Sequence, residues 1–179
     1  LSRLPKLPIV KYSVDELARM FPAFQHAPFD EAGYNHFALP IHYEDPDGLG
    51  DPAEANAFAF LLSDSLDWAP GCYCSRHAYF TFKRCRREMR ALSRSYDPKI
   101  IASLVNDWSA THAVGGKLIR SLKGYSGELV IYDHSGRHVF QKTYADPREF
   151  FELLGDMVVD GLIFFGHEPS AALVKHLHM

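Results

Sequence analysis

The sequence predicts an α+β fold, mainly helical with one antiparallel hairpin, in an order resembling a winged helix. Three observations lead there. After residue 51 apolar residues recur at three- and four-residue steps through most of the chain, as in helices buried on one face. Helix-start signals, a capping side chain followed by proline or by a glutamate three residues on, stand at Ser13, Asp51, Asp97 and Asp146. One stretch, residues 127–144, alternates like paired strands across a short turn.

Taken in order, residues 1–50 read as an extended, irregular N-terminal segment. Pro5 and Pro8 lack amide donors and keep their predecessors out of the helical region. Ser13 and Glu16 open a short helix that Pro22 stops, and Phe37-Ala-Leu-Pro-Ile41 is a short edge strand. Ala53 to Leu66 is a strongly apolar helix. Residues 67–71 turn. From Ala78 to about Ser95 the pattern is amphipathic, with Phe82, Cys85, Met89 and Leu92 on one face and Lys83, Arg87, Arg90 and Arg94 on another. Asp97-Pro98 starts a helix to Trp108, which bends at 109–116 and resumes at 117–122. Strands 128–132 and 137–144 join across Asp133-His-Ser-Gly136. A helix from Asp146 ends at Gly166, and Glu168-Pro-Ser170 opens a last short one. Two helices followed by a hairpin is the winged-helix order. The expectation is a single domain, 1–179, with a helical core from residue 51 and a hairpin at 127–144.

With 179 residues, 47% of them hydrophobic and 23% charged, the chain has material for a core without staples. No apolar run reaches the length of a membrane span, since Asp156 and Asp160 break the best candidate. Three cysteines and an opening rich in proline and charge point to a cytoplasmic protein. The net charge of −3 conceals an asymmetry. Residues 1–75 carry four basic and eleven acidic side chains, residues 76–99 eight and two, and residues 100–179 seven and nine. A net acidic chain is a poor match for duplex nucleic acid.

Few constellations carry chemistry. Cys72-x-Cys74-x-x-His77, with Cys85 eight residues on, offers zinc ligands at an unusual spacing, and Cys85 equally fits its helix's apolar stripe. No Cys-x-x-Cys supports redox exchange. His36, His42 and Asp45, or His134 and His138 at the hairpin, fit solvated or hydrogen-bonded histidines better than a metal triad. Asp45-Pro-Asp-Gly-Leu-Gly-Asp51 reads as a turn and helix cap rather than a calcium loop. Gly115-Gly116-Lys117 lacks the rest of a phosphate-binding loop. The basic helix can be a solvated face, a nucleic-acid track, or a protein-docking surface in which Arg84, Arg87, Arg90 and Arg94 grip carboxylates. If Arg137–Tyr144 is an edge strand, Arg137, Val139, Phe140 and Gln141 can receive an extended peptide, unless Arg137 and Lys142 merely guard that edge.

At Asp67-Trp-Ala-Pro-Gly-Cys-Tyr-Cys-Ser-Arg-His-Ala-Tyr-Phe-Thr-Phe-Lys83, Trp108-Ser-Ala-Thr-His-Ala-Val-Gly-Gly116 and Tyr132–Phe165 the chain resembles the methanobactin biosynthesis proteins called MbnC. The resemblance implies a non-catalytic subunit, without cofactor of its own, in a heterodimer with an MbnB-like TIM-barrel oxygenase that holds the iron. It further implies recognition of the leader of an MbnA-like ribosomal precursor peptide, whose cysteines become oxazolone and thioamide groups of a copper chelator. Two other readings stand beside it: a small winged-helix nucleic-acid-binding protein using helix 83–94, and a metalloenzyme using Cys72, Cys74, His77 and Cys85.

Overall fold

The computed structural model describes residues 34–67, 72–74, 86–107 and 110–177, and it holds more β-structure than the periodicity predicts. Along the chain run β1 (Tyr34–Ala38), β2 (His42–Glu44), α1 (Ala53–Leu66), β3 (Cys72–Cys74), α2 (Arg86–Leu92), α3 (Pro98–Asp107), β4 (His112–Ser121), β5 (Gly124–Asp133), β6 (His138–Arg148), α4 (Phe150–Phe164) and α5 (Ala171–Leu177). All six strands join one mixed sheet in the order β3-β1-β4-β5-β6, with β2 also on β4. β3, β1 and β4 are parallel neighbours, whereas β4, β5 and β6 form an antiparallel meander. β1 and β2 share one edge of β4, pairing with His112–Val114 and Lys117–Ile119 respectively. Pro40, which has no amide to give, sits between them.

Helices cover both faces. On one, α1, α4 and α5 bury Phe58, Leu62, Leu66, Met157, Leu162 and Phe165 against Val114, Leu118, Leu129 and Ile131 of the sheet. On the other, α2 and α3 bury Met89, Leu92, Ile101, Leu104 and Val105 against Phe37, Leu39 and Ala113. Each fully buried Leu or Phe contributes roughly 1.5–3 kcal/mol by leaving water, so the two apolar layers dominate the fold's stability.

The class is α+β, but the chain is neither mainly helical nor arranged as a winged helix. Residues 112–121, expected to be a bent helix and its continuation, are the central strand β4. It supplies both cores in alternation, Ala113 to one and Val114 and Leu118 to the other, while Gly115 and Gly116 erase that alternation from the sequence. The expected edge strand Phe37–Ile41 is instead interior β1, held by β3 and β4. The proline signal at Asp146 falls within β6, and the helix begins later, at Phe150, where Glu149 and Glu152 form a capping box.

Other signals are realised where they stand. Asp51 Oδ1 accepts the Ala53 N–H at 2.8 Å to start α1, and Asp97 Oδ1 accepts the Lys99 N–H at 2.8 Å to start α3. The Ser170 hydroxyl accepts the Leu173 N–H at 3.2 Å at α5. Gly166, at φ +83°, ends α4 as expected. The helix expected from Ser13 and the first part of the one expected from Ala78 lie outside the described residues.

Candidate functional site

Among the described residues the helical cover of the α2–α3 face is incomplete. Ala113 and Val130 are buried there, but farther along, Lys117, Glu128, Gln141 and Thr143 reach solvent. Between that open floor and the link joining α2 to α3 lies a cleft of about 560 Å³. Gly116, Lys117, Glu128, Val130, Tyr132, His138 and Gln141 come from β4–β6, His42, Tyr43 and Glu44 from β2, and Ser93, Arg94 and Tyr96 from the link.

Tyr96 anchors the wall. Its hydroxyl lies 2.7 Å from the Pro40 carbonyl and 2.8 Å from the Gly116 carbonyl, to either of which it donates, and it accepts the Gly116 N–H at 2.7 Å. Burial pushes its pKa well up, so it stays a phenol. The His42 ring stacks on it at 4.1 Å between centroids, with Nε2–H donating to the Leu92 carbonyl at 2.8 Å. Tyr132 meets Tyr96 edge-on at 5.7 Å, and His138 lies 5.7 Å beyond Tyr132. Four rings from β2, the link, β5 and β6 thus form one row. Such a row offers flat apolar contact with polar tips.

Charge in the cleft is largely balanced. Lys117 Nζ pairs with Glu44 Oε1 at 2.6 Å, and Gln141 Nε2 donates to Glu128 Oε1 at 2.7 Å. Arg94 forms no ion pair among the described residues. The neutral Gln141 amide leaves the Glu128 charge in place, so the cleft offers stacking, hydrogen bonds and one uncancelled charge of each sign, Arg94 and Glu128.

Beside the cleft runs β6, which among the described residues is the end strand of the sheet, bonded to β5 on one side only. Its two expected guards are turned elsewhere. Arg137 grips Asp133 through Nε at 3.1 Å and Nη2 at 3.0 Å, and Lys142 Nζ reaches Asp160 on α4 at 2.6 Å. Val139 sits exposed at a register shift, and Phe140 packs toward Phe164 of α4 at 5.5 Å.

Of the residues singled out from sequence, His42, Arg94, His138 and Gln141 come together in the cleft. Arg87 and Arg90 are exposed on α2, while Arg84, His77 and Cys85 lie outside the described residues. Cys72 and Cys74 are placed by their backbone in β3. His36, His42 and Asp45 have separate duties: His36 is buried against Ser63, His42 stacks on Tyr96, and Asp45 Oδ2 accepts the Gly50 N–H at 2.7 Å. Among the described residues no three His, Cys, Asp or Glu side chains gather to hold a metal. Sequence reasoning missed Tyr96, Tyr132 and Glu128, and named Lys117 only in an incomplete phosphate-loop pattern. The glycine pair 115–116 was the available signal, because a side chain at Gly115 would meet the Tyr96 hydroxyl at 2.7 Å.

No protein-family model and no curated protein matches the sequence. Similar solved structures are the LpoB C-terminal domain from Salmonella enterica (8% identity, TM-score 0.49, covering 74% of this chain and 99% of that one) and its Escherichia coli counterpart (9%, 0.47, 74% and 93%). Lipoprotein GNA1162 from Neisseria meningitidis is another (16%, 0.44, 74% and 96%).

These findings correct the resemblance to MbnC. No family model and no curated protein ties the chain to methanobactin biosynthesis, and none of the similar solved structures named above is such a protein. The partner-subunit function, the MbnB-like iron oxygenase and the precursor peptide fall with that resemblance. So does the winged-helix nucleic-acid reading, because its second helix is strand β4. The cytoplasmic placement falls too, since an odd cysteine count marks no compartment.

Proposed function

We propose that this chain is a recognition module that takes an extended segment of a partner protein along the open edge of β6, with side chains of that segment entering the adjoining cleft. One observation carries the reading: an eleven-residue edge strand whose Arg137 and Lys142 are drawn off to Asp133 and Asp160 borders a cleft walled by aromatic rings. An unguarded edge offers main-chain donors and acceptors to an added strand, and pockets beside it read alternate side chains. Tyr96, Tyr132 and Arg94 are the residue types that dominate such contacts.

The test is a peptide selected from a display library on the immobilised chain, followed by amide hydrogen exchange with and without it. Alternate amides of residues 138–146, those facing away from β5, are expected to slow on binding. Exchange along β6 unchanged by every selected peptide would refute the proposal.

A further inference from the structure

Two histidines lie side by side under the end of α4. His36 of β1 is in register with Cys74 of β3 and with His112 of β4, and His112 stands opposite Asp133 of β5. Ser63 of α1 and Phe165, the residue that closes α4, flank the His36 ring. Phe164 and Phe165 meet the His112 ring edge-on at 5.6 and 5.4 Å. We propose that residues 165–177 are an acid-released latch: a proton taken up by His36 lifts Phe165, and the α5 that follows it, off the sheet. The device stands apart from the β6 edge and goes beyond the recognition reading.

The closed form has no place for that proton. His36 is wholly buried. A carbonyl only accepts, so Nε2 carries the hydrogen that reaches the Ser63 carbonyl at 3.3 Å, and the lone pair sits on Nδ1, a buried atom without a partner. A second proton adds a full charge and a buried donor that nothing accepts. No anion stands ready to offset it. α1 presents Ser63, α4 presents Phe165, β4 presents His112, and β3 places Cys74 alongside in register. Burial accordingly holds the His36 pKa at about 4. His112 titrates beside it. Burial lowers its pKa, Asp133 on β5 opposes this, and His134 in the turn adds to it. The Asp133 carboxylate is itself taken up by Ser135 and Arg137. His167, on the latch, is also lowered by burial.

Of the two lids on His36, the end of α4 is the weaker. α1 buries Phe58, Leu62 and Leu66 around Ser63. Residues 165–177 bury only Phe165 and Leu173 among the side chains described. Among the described residues no main-chain hydrogen bond ties them to the sheet: Phe165, Gly166 and His167 donate to the carbonyls of Gly161, Ile163 and Leu162, and Val174 donates to that of Ser170. The segment can leave without breaking a strand pairing. Gly166, at φ +83°, is the joint between the two helices. Once the latch opens, water reaches His36 and its pKa returns toward about 6.5. The closed form is therefore favoured fully above about pH 6.5, and proton uptake drives opening as pH falls from there toward 4.

The test is amide hydrogen exchange of the full chain, read as protection factors at pH 7 and pH 5. Residues 165–177 are expected to lose about twentyfold in protection, the effect of one histidine moving from a pKa of about 4 to about 6.5. Residues 101–105 of α3, on the opposite face of the sheet, should keep theirs and so report that the chain stays folded. His36→Gln cannot be charged and retains a donor for the Ser63 carbonyl, while His36→Leu fills the site with apolar atoms. Either variant that keeps α3 protected should lose most of the effect, the smaller remainder belonging to His112 and His167. Equal loss in α3 and the latch would mean that acid unfolds the whole chain. Loss centred on residues 58–66 would make α1 the moving lid. A full twentyfold loss persisting in a folded His36 variant would assign the proton elsewhere. Any of the three overturns the latch, and the native chain alone decides the first two.

Discussion

The Gly116 amide donates to the Tyr96 hydroxyl at 2.7 Å, which fixes the cleft wall to the central strand across twenty residues of sequence. The same hydroxyl reaches the Pro40 carbonyl at 2.7 Å, at the break between β1 and β2. One oxygen therefore ties three segments. Tyr96→Phe removes it while keeping the ring, leaving a buried amide and a carbonyl without a partner. The expected loss is about 1–3 kcal/mol of stability, read from the denaturant midpoint, with the stacking of His42 preserved. A neutral Tyr96→Phe would show that these contacts do not hold the wall.

Gly116 has its own constraint. Its φ of +154° is disfavoured for any side chain, and a Cβ would run into the backbone carbonyl oxygen of Glu128 on β5. Backbone cannot swing aside as a flexible side chain can, so Gly116→Ala has to part β4 from β5. The expected cost is about 2–4 kcal/mol. Gly48, at φ +66° with nothing within 4 Å of its added Cβ, provides the contrast. Gly48→Ala should cost about 1 kcal/mol, the left-handed backbone alone. Thermal melts of the two variants check the ranking, and equal losses would contradict it.

His36 gives the fold a pH dependence. It is fully buried in β1, its Nε2 3.3 Å from the Ser63 carbonyl, with its ring 5.8 Å from that of Phe165. Burial lowers its pKa to about 4, the Ser63 carbonyl opposing and His112 assisting. The unfolded chain, with an ordinary histidine pKa near 6.5, takes up the proton first. Stability from this group is therefore complete above about pH 6.5 and declines as pH falls toward 4, by roughly 3 kcal/mol in all. Asp133 acts lower down. Burial pushes its carboxyl up, but hydrogen bonds from Ser135 and Arg137 outweigh this and hold it well below the usual range. Its contribution is lost only as pH falls below about 4. Denaturant midpoints between pH 7 and 4 should slope in the native chain and slope less in His36→Leu. His112 and His167, whose pKa values burial also lowers, keep the remainder. A slope unchanged in that variant would assign the loss elsewhere.

What the sequence made legible follows from whether a signal is local. α1, α3 and α5 announced themselves because Asp51, Asp97 and Ser170 cap them from within two or three residues. The β5–β6 hairpin did so because its turn and both strands are contiguous. β4 stayed hidden because its pairing with β1 and β2 joins segments some seventy residues apart, and its two glycines break the alternation that a strand should show. The second strand of the expected hairpin is, among the described residues, an end strand of the sheet. The cleft was not anticipated, because its row of rings is assembled from four separate segments. Arg94, Gln141, His42 and His138 were picked out in advance, each for a reason other than a shared cleft. The charge imbalance of residues 76–99 was visible in the sequence, but which arginine stands unpaired in the cleft required knowing that Lys117 is spent on Glu44.

Asp160 sets the condition of the β6 edge. Its Oδ2 accepts the Tyr144 hydroxyl at 2.5 Å and pairs with Lys142 Nζ at 2.6 Å, so one carboxylate on α4 both satisfies a buried phenol and draws an edge lysine onto the helix face. The two roles separate by substitution. Asp160→Asn keeps an acceptor for Tyr144 but loses the charge, and the partly exposed ion pair is worth less than about 1 kcal/mol. Asp160→Ala also leaves the Tyr144 hydroxyl unpartnered and should cost about 1–2 kcal/mol more, measured by chemical denaturation. Both variants release Lys142 to stand beside the edge as a guard. Both should therefore weaken binding of an edge-seeking peptide to a similar extent despite their different stabilities. Binding that tracks stability instead would mean that Asp160 matters only as a structural contact, and restoration of affinity in Asp160→Asn by adding Lys142→Ala would fix the lysine as the cause.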